Sequence, residues 1–206
     1  ETVYGYDLLD RLVWKTGESV QATFADGTVR TVEPRETMAY DARGNLVAST
    51  DANGHTTTWY YDAANRKTGE VSPSGTLTLW TYDAAGNIVS SRVHADPVNA
   101  TAGSQPPAPV DAANVRETRH VYDGNNRLTE SRVMNVATGY FDSAAGEDQR
   151  GEYFITSGSE LVSTWQYDGR GLLIVSTDPA GNRTTHFYDA NGQNLGRLST
   201  QLADLL

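Results

Sequence analysis

The sequence has no cysteine in 206 residues, only 2 methionines, and 16 lysines and arginines against 26 aspartates and glutamates. Without cysteine there is no disulfide framework and no thiolate zinc site. The formal charge of −10 argues against a nucleic-acid partner, which would need clustered cations to neutralise phosphates. No apolar run is long enough for a transmembrane helix, so membrane insertion is not expected. Glu1 opens a polar stretch with neither a basic nor an apolar leader region. The chain therefore reads as a piece of something longer, or as a mature form. Hydrophobic residues make up only 38% of the sequence, thin for one large core.

Glycine and tyrosine are abundant instead, at 19 and 11 residues. Seven of the tyrosines belong to one recurring dipeptide: Tyr6-Asp7, Tyr40-Asp41, Tyr61-Asp62, Tyr82-Asp83, Tyr122-Asp123, Tyr167-Asp168 and Tyr188-Asp189. The spacings are 34, 21, 21, 40, 45 and 21, which gives a 21-residue unit with three insertions. With the tyrosine as position 0, position +4 holds Asp10, Gly44, Asn65, Gly86, Asn126, Gly171 and Gly192. These residue types tolerate a left-handed backbone, so +4 reads as a turn corner. Position +6 is mostly apolar (Leu12, Leu46, Lys67, Ile88, Leu128, Leu173, Asn194), position −2 is large (Tyr4, Met38, Trp59, Trp80, His120, Trp165, His186), and position −4 is Thr, Glu or Ser.

Positions −4, −2 and 0 share one face of a strand, because strand side chains alternate. A strand rich in Thr, Trp and Tyr thus runs up to Tyr-Asp, turns at +4, and returns through the +6 residue. The aspartate is suited to hydrogen-bonding the turn backbone. In the regular units a second turn follows at Asp51–Gly54, Ser72–Gly75 and Asp178–Gly181, and the next strand starts at Thr56, Leu77 or Arg183. Strands of about seven residues, roughly 24 Å, are expected. A lone hairpin is unstable, so the units are expected to stack into one twisted antiparallel sheet with open edges. Helical periodicity is absent, except for a weak indication over 200–206. The expected fold is all-β, one array of about seven tandem hairpins over 1–206.

The segments Tyr40-Asp-Ala-Arg-Gly-Asn-Leu-Val47, Asp51 to Asp62 and Asp178 to Asp189 resemble YD repeats, also called RHS repeats. Such repeats occur in bacterial Rhs polymorphic toxins, C components of insecticidal Tc toxins, wall-associated proteins and teneurins. The resemblance implies a spiralling sheet that builds a hollow shell, sometimes around a cytotoxic domain, in a secreted or cell-surface protein. It also implies carbohydrate binding as an alternative, since some family repeats have been described so. Two departures matter. A closed shell takes many more repeats than seven, and the self-cleaving segment that ends family shells is not recognisable. Asp178-Pro179-Ala180-Gly181 falls where Asp51–Gly54 falls in another unit, and so reads as a turn.

Two insertions interrupt the period. The stretch 94–116 contains Pro97, Pro106, Pro107 and Pro109 and reads as an extended or flexible loop. The stretch 134–160 holds Asp142, Glu147, Asp148, Glu152 and Glu160 against Arg150, with the aromatic pairs Tyr140-Phe141 and Tyr153-Phe154. It is read as a lengthened hairpin, with a docking surface as the alternative.

Catalysis finds little support. There is no nucleophile elbow, no His-Glu-x-x-His and no phosphate loop, hence no enzyme and no cofactor is expected. His120 and His186 occupy the −2 slot, while His55 follows a turn glycine and His94 opens the proline-rich loop. Asp51, Asn53, Asp62 and Asn65 could offer oxygens to calcium but lack EF-hand spacing. Trp59, Trp80 and Trp165 recur at equivalent positions. They form either a cross-strand ladder or a row on which sugar rings could stack.

Overall fold

The computed structural model describes residues 1–100, 103, 105–111, 115–142 and 152–201. Among them are sixteen strands and no helix: β1 (Val3–Tyr6), β2 (Leu12–Thr16), β3 (Val20–Thr23), β4 (Val29–Val32), β5 (Arg35–Tyr40), β6 (Leu46–Thr50), β7 (Thr56–Tyr61), β8 (Lys67–Val71), β9 (Leu77–Tyr82), β10 (Ile88–His94), β11 (Val115–Tyr122), β12 (Leu128–Asp142), β13 (Glu152–Tyr167), β14 (Leu173–Thr177), β15 (Arg183–Tyr188) and β16 (Asn194–Thr200). Fourteen form one antiparallel sheet in chain order, with β1 and β16 as its outermost strands; β3 and β4 form a separate hairpin. β7, β9 and β15 start where the repeat places them, at Thr56, Leu77 and Arg183. The strands β5 to β9 are five or six residues long rather than about seven, because each unit gives five residues to each of its turns.

The chain divides into two compact units, Glu1–Leu79 with Val93–Asn114, and Trp80–Arg92 with Val115–Leu206. In the first unit the spacing of 34 between the first two tyrosines is explained by β3 and β4. They pair Val20↔Val32 through Thr23↔Val29, while β2 passes directly to β5. Gly17 N–H donates to the Pro34 carbonyl at 2.8 Å and closes the neck of this inserted hairpin.

The two faces of the first unit's sheet differ. Cross-strand partners share a face, so Tyr60, Gly69 and Leu79 lie together, as do Thr58, Val71 and Leu77 beside them. Here the core forms: Tyr60 is 1% exposed, Val71 2% and Leu77 0%. The opposite face carries Trp59 and Tyr61. The proline-rich insertion completes the core. Val98 packs against this cluster and donates its N–H to the Gly75 carbonyl at 2.9 Å. Pro106 lies so close to Gly69 that a Cβ there would meet it at 2.8 Å. His94 ends β10 and Val115 opens β11; the described residues between them form no strand and cover the sheet as a lid. Glycine opposite an aromatic recurs on this face: Gly5 faces Trp14, whose indole occupies the space a Cβ would need.

In the second unit, β12 and β13 pair from Glu130↔Thr164 to Asp142↔Glu152. The second insertion is thus a lengthened hairpin. Its register slips around Val136, where Asn135 and Gly158 adopt φ of 54° and 85°. The docking alternative rests on the side chains of Tyr140, Phe141, Tyr153 and Phe154, of which only the strand backbone is described, and on Glu147, Asp148 and Arg150, which lie outside the described residues. Of residues 200–206, where the weak helical indication falls, Thr200 ends β16 and 202–206 lie outside the described residues. Glu117 is the buried carboxylate of this unit, 8% exposed. Ser90 Oγ and Arg92 Nε donate to its Oε1 at 2.8 and 3.0 Å, and Arg119 Nη2 donates to its Oε2 at 2.9 Å. The Arg119 bond above all, with Ser90 and Arg92, overcomes desolvation and lowers its pKa to about 2.

Leu77→Ala is expected to cost about 2–5 kcal/mol in urea unfolding, as for other fully buried leucines. A loss below about 1 kcal/mol would mean that this face is not the core.

Candidate functional site

The recurring station is the Tyr-Asp turn, and its geometry is the same in every repeat. At Tyr40, Asp41 N–H donates to the Asn45 carbonyl at 2.9 Å and Gly44 N–H donates to the Asp41 carbonyl at 3.1 Å. This is a tight turn closed by a left-handed corner. The corner φ is 58° at Asp10, 89° at Gly44, 60° at Asn65, 92° at Gly86, 59° at Asn126, 89° at Gly171 and 81° at Gly192. The first unit's corner, Asp10, has the common geometry although it is neither Gly nor Asn. The second turns repeat it, with Gly54, Gly75 and Gly181 at 84°, 86° and 84°.

The aspartate carboxylate organises each turn from inside. Asp62 Oδ1 accepts the N–H of Ala64 at 2.8 Å and of Arg66 at 3.0 Å, and Oδ2 accepts Arg66 Nε at 2.7 Å. Asp123 does the same with Asn125 and Arg127, and Asp41 with Arg43 and Asn45. Asp168 accepts the Arg170 and Leu172 amides, and Asp189 those of Asn191 and Gln193. Bonds to the charged carboxylate favour its ionised form. Asp7, Asp41, Asp51, Asp62, Asp83, Asp123, Asp168 and Asp178 are all held below the usual carboxylate range, and the largest cause in each is a hydrogen bond from the residue four places on.

The tyrosine ties one repeat to the one before. Tyr40 OH donates to the Leu12 carbonyl at 2.9 Å, Tyr61 OH to Leu46 at 2.8 Å, Tyr167 OH to Leu128 at 2.9 Å and Tyr188 OH to Leu173 at 3.0 Å. Each acceptor is the +6 residue of the preceding repeat. Burial, with Asp41 and Glu70 nearby, pushes the Tyr61 phenol pKa up and keeps it a donor. Guanidinium groups cover two rings, Arg11 over Tyr40 and Arg127 over Tyr167, both at 4.8 Å. Tyr82 and Tyr122 close β9 and β11 at the same place in their repeats.

Trp59, Trp80 and Trp165 are half-buried. Trp59 Nε1 donates to Glu70 Oε2 at 2.8 Å and Lys67 Nζ lies 5.0 Å from its ring centroid. Beside it a cleft of about 400 Å³ is lined by Ala39, Ala48, Thr58, Trp59, Ala100 and Gly103, among others. Asp51 and Asp62, weighed for calcium, receive N–H donors, and no group of three metal-ligating side chains occurs among the described residues. His55 Nδ1 contacts Asp51 at 3.2 Å, and the buried His94 has neither ring nitrogen hydrogen-bonded. His120 lies 6.4 Å from Tyr122, ring to ring. Sequence reasoning passed over Glu117 and the residue at +5; the clue to the second was Arg or Asn at five of seven +5 positions.

The model of the RHS Repeat family matches residues 40–77 and 167–204, each beginning on a Tyr-Asp tyrosine. These two segments are RHS repeats. Among solved structures, the crystal structure of TcdB2-TccC3 is similar at 15% identity and TM-score 0.39, over 98% of this chain and 12% of that one. The crystal structure of TcdB2-TccC3-TEV is similar at 18% identity and TM-score 0.35, over 97% and 12%. A Photorhabdus luminescens Tc holotoxin pore is similar at 16% identity and TM-score 0.33, over 97% and 12%. The chain thus spans about an eighth of the length of these neighbours. No curated protein matches it.

Tyr61→Phe and Tyr167→Phe are each expected to lose about 0.5–1.5 kcal/mol in urea unfolding; unchanged stability would mean the phenol bonds carry nothing. Acid provides a second check. A carboxyl with a depressed folded pKa contributes stability above its unfolded pKa and loses it as pH falls through the folded value. The turn aspartates therefore predict a midpoint that falls steeply below about pH 4. A midpoint independent of pH between about 5 and 2 would contradict their role.

Proposed function

We propose that this RHS-repeat chain is a length of non-enzymatic wall in a large secreted or surface-exposed bacterial protein, and that the wall encloses a toxin or effector domain of the same parent. The observation that carries the reading is the ladder between repeats. The hairpins of Tyr40, Tyr61, Tyr167 and Tyr188 each donate the tyrosine hydroxyl back to the +6 carbonyl of their predecessor. Such a sheet extends by adding identical steps, which suits enclosure rather than catalysis in a cleft. Its natural partners are further repeats at β1 and β16, with a second copy of the chain as a substitute for them at the same edges.

The alternative is an adhesin or wall-associated module that binds carbohydrate through Trp59, Trp80 and Trp165. Trp59 supports it poorly, since its N–H is engaged by Glu70 and its ring by Lys67.

Limited proteolysis of the full product of the gene separates the two. The wall reading expects an effector region that resists protease until the repeats are denatured; an effector digested as fast as the same domain alone would overturn it. On a glycan array the chain is expected to bind nothing, and binding abolished by Trp165→Ala would favour the adhesin.

A further inference from the structure

The edge of the sheet that carries the Tyr-Asp turns contains a second, non-identical layer of contacts between neighbouring repeats. In several repeats the residue at +5 reaches the turn of the next repeat, and the residue types at +5 and at the following +4 corner are matched. Asn45 is followed by the corner Asn65, and Asn45 Nδ2 donates to Asn65 Oδ1 at 2.9 Å. Asn87 is followed by Asn126, and the same bond forms at 3.0 Å. Elsewhere the following corner is glycine and +5 is never asparagine: Arg11 precedes Gly44, Arg66 precedes Gly86, Arg127 precedes Gly171 and Leu172 precedes Gly192.

The glycine corners offer no side-chain acceptor, and the +5 residue behaves accordingly. Arg11 Nη1 donates to the backbone carbonyl of Asp41 at 3.2 Å, and Arg127 Nη1 to that of Asp168 at 3.4 Å. Both guanidinium groups also lie over the next tyrosine. A Cβ at Gly171 would stand 3.4 Å from Arg127 Nη1, and one at Gly192 would stand 3.5 Å from Leu172 Cδ1. These are ordinary contact distances, and a Cβ at Gly44 or Gly86 would meet nothing within 4 Å, so what a glycine corner withholds is an acceptor rather than space. Where +5 is Asn45 or Leu172, an arginine at +3 reaches the next turn instead: Arg43 to the Asp62 carbonyl at 3.2 Å and Arg170 to that of Asp189 at 3.1 Å.

We propose that the pair formed by +5 of one repeat and +4 of the next is a neighbour-recognition code, in which Asn selects an Asn corner and Arg or Leu selects a Gly corner. Identical Tyr-Asp steps would let any hairpin stack on any other; the code gives adjacent hairpins a preference for their own order. Specificity of this kind needs wrong pairs to be worse as well as right pairs to be good. An Asn–Gly mismatch leaves the +5 amide with only its own turn aspartate as acceptor, and an Arg–Asn mismatch forfeits the Asn–Asn bond at the corner. The inference does not depend on what the sheet encloses.

A double-mutant cycle on the full chain tests it, with the urea midpoint as readout. Asn87→Arg is expected to lower the midpoint while Asn126 is in place, and to lower it less, or raise it, when combined with Asn126→Gly. The cycle subtracts the relief of positive φ that Asn126→Gly brings on its own. Asn87→Arg with Asn65→Gly, a corner that is not its successor, should be additive. The reverse exchange, Arg127→Asn with Gly171→Asn, should couple as well. Equal midpoint shifts for Asn87→Arg in the two backgrounds would overturn the code, as would coupling of the same size in the non-adjacent control.

Discussion

The carboxylate of the aspartate after each repeat tyrosine is the group on which the sheet depends. A five-residue turn with a left-handed corner leaves backbone amides at its tip with no strand to satisfy them. The carboxylate accepts those amides from inside the loop, as Asp62 does for Ala64 and Arg66. Once the turn is closed, the tyrosine before it is fixed at the end of its strand. From there its hydroxyl reaches the carbonyl at +6 of the preceding repeat. Closure within one hairpin and attachment to the last are thus set by two consecutive residues. A dipeptide can therefore persist as a motif while most other positions of the unit vary.

The hydrophobic face is organised by different rules. On the Trp59 side of the first unit, side chains are half-buried and polar atoms are engaged across strands. On the other side Tyr60, Val71 and Leu77 are excluded from water by a segment that belongs to no strand. Glycines make this possible: Gly69 leaves room for Pro106 and Gly75 for Pro97. Of the five hydrophobic residues buried among the described ones, Tyr60, Val71, Leu77 and Val98 lie where that lid lands. The second unit spends part of its interior on Glu117, whose three donors compensate the loss of water.

The period, the corners and the starts of β7, β9 and β15 were legible in the sequence because backbone constraints repeat. Positive φ restricts the corner to Gly, Asn or Asp, and alternation assigns Trp59 and Tyr61 to one face. What was not legible follows from contacts between segments far apart in sequence. Nothing local in Pro97, Val98 and Pro106 says that they cover Tyr60 and Gly69. Alternation likewise does not say which face is covered; the apolar pattern of Val71, Leu77 and Leu79 was the available hint. The inserted hairpin of β3 and β4 was visible only as thirteen surplus residues between Tyr6 and Tyr40. Its turn carries the same chemistry, with Asp26 accepting the Thr28 amide at 2.9 Å.

Native-state hydrogen exchange of the turn amides tests the central claim most directly. The amides of Ala64, Arg66, Asn125, Arg127 and Leu172 lie in solvent-facing turns and donate to an aspartate carboxylate. If the carboxylate closes each turn, these amides should exchange as slowly as those of the adjoining strands, and Asp62→Ala should release Ala64 and Arg66 while leaving Asn125 and Arg127 protected. Exchange of all of them at the rate of an open loop, in the unaltered chain, would contradict the account.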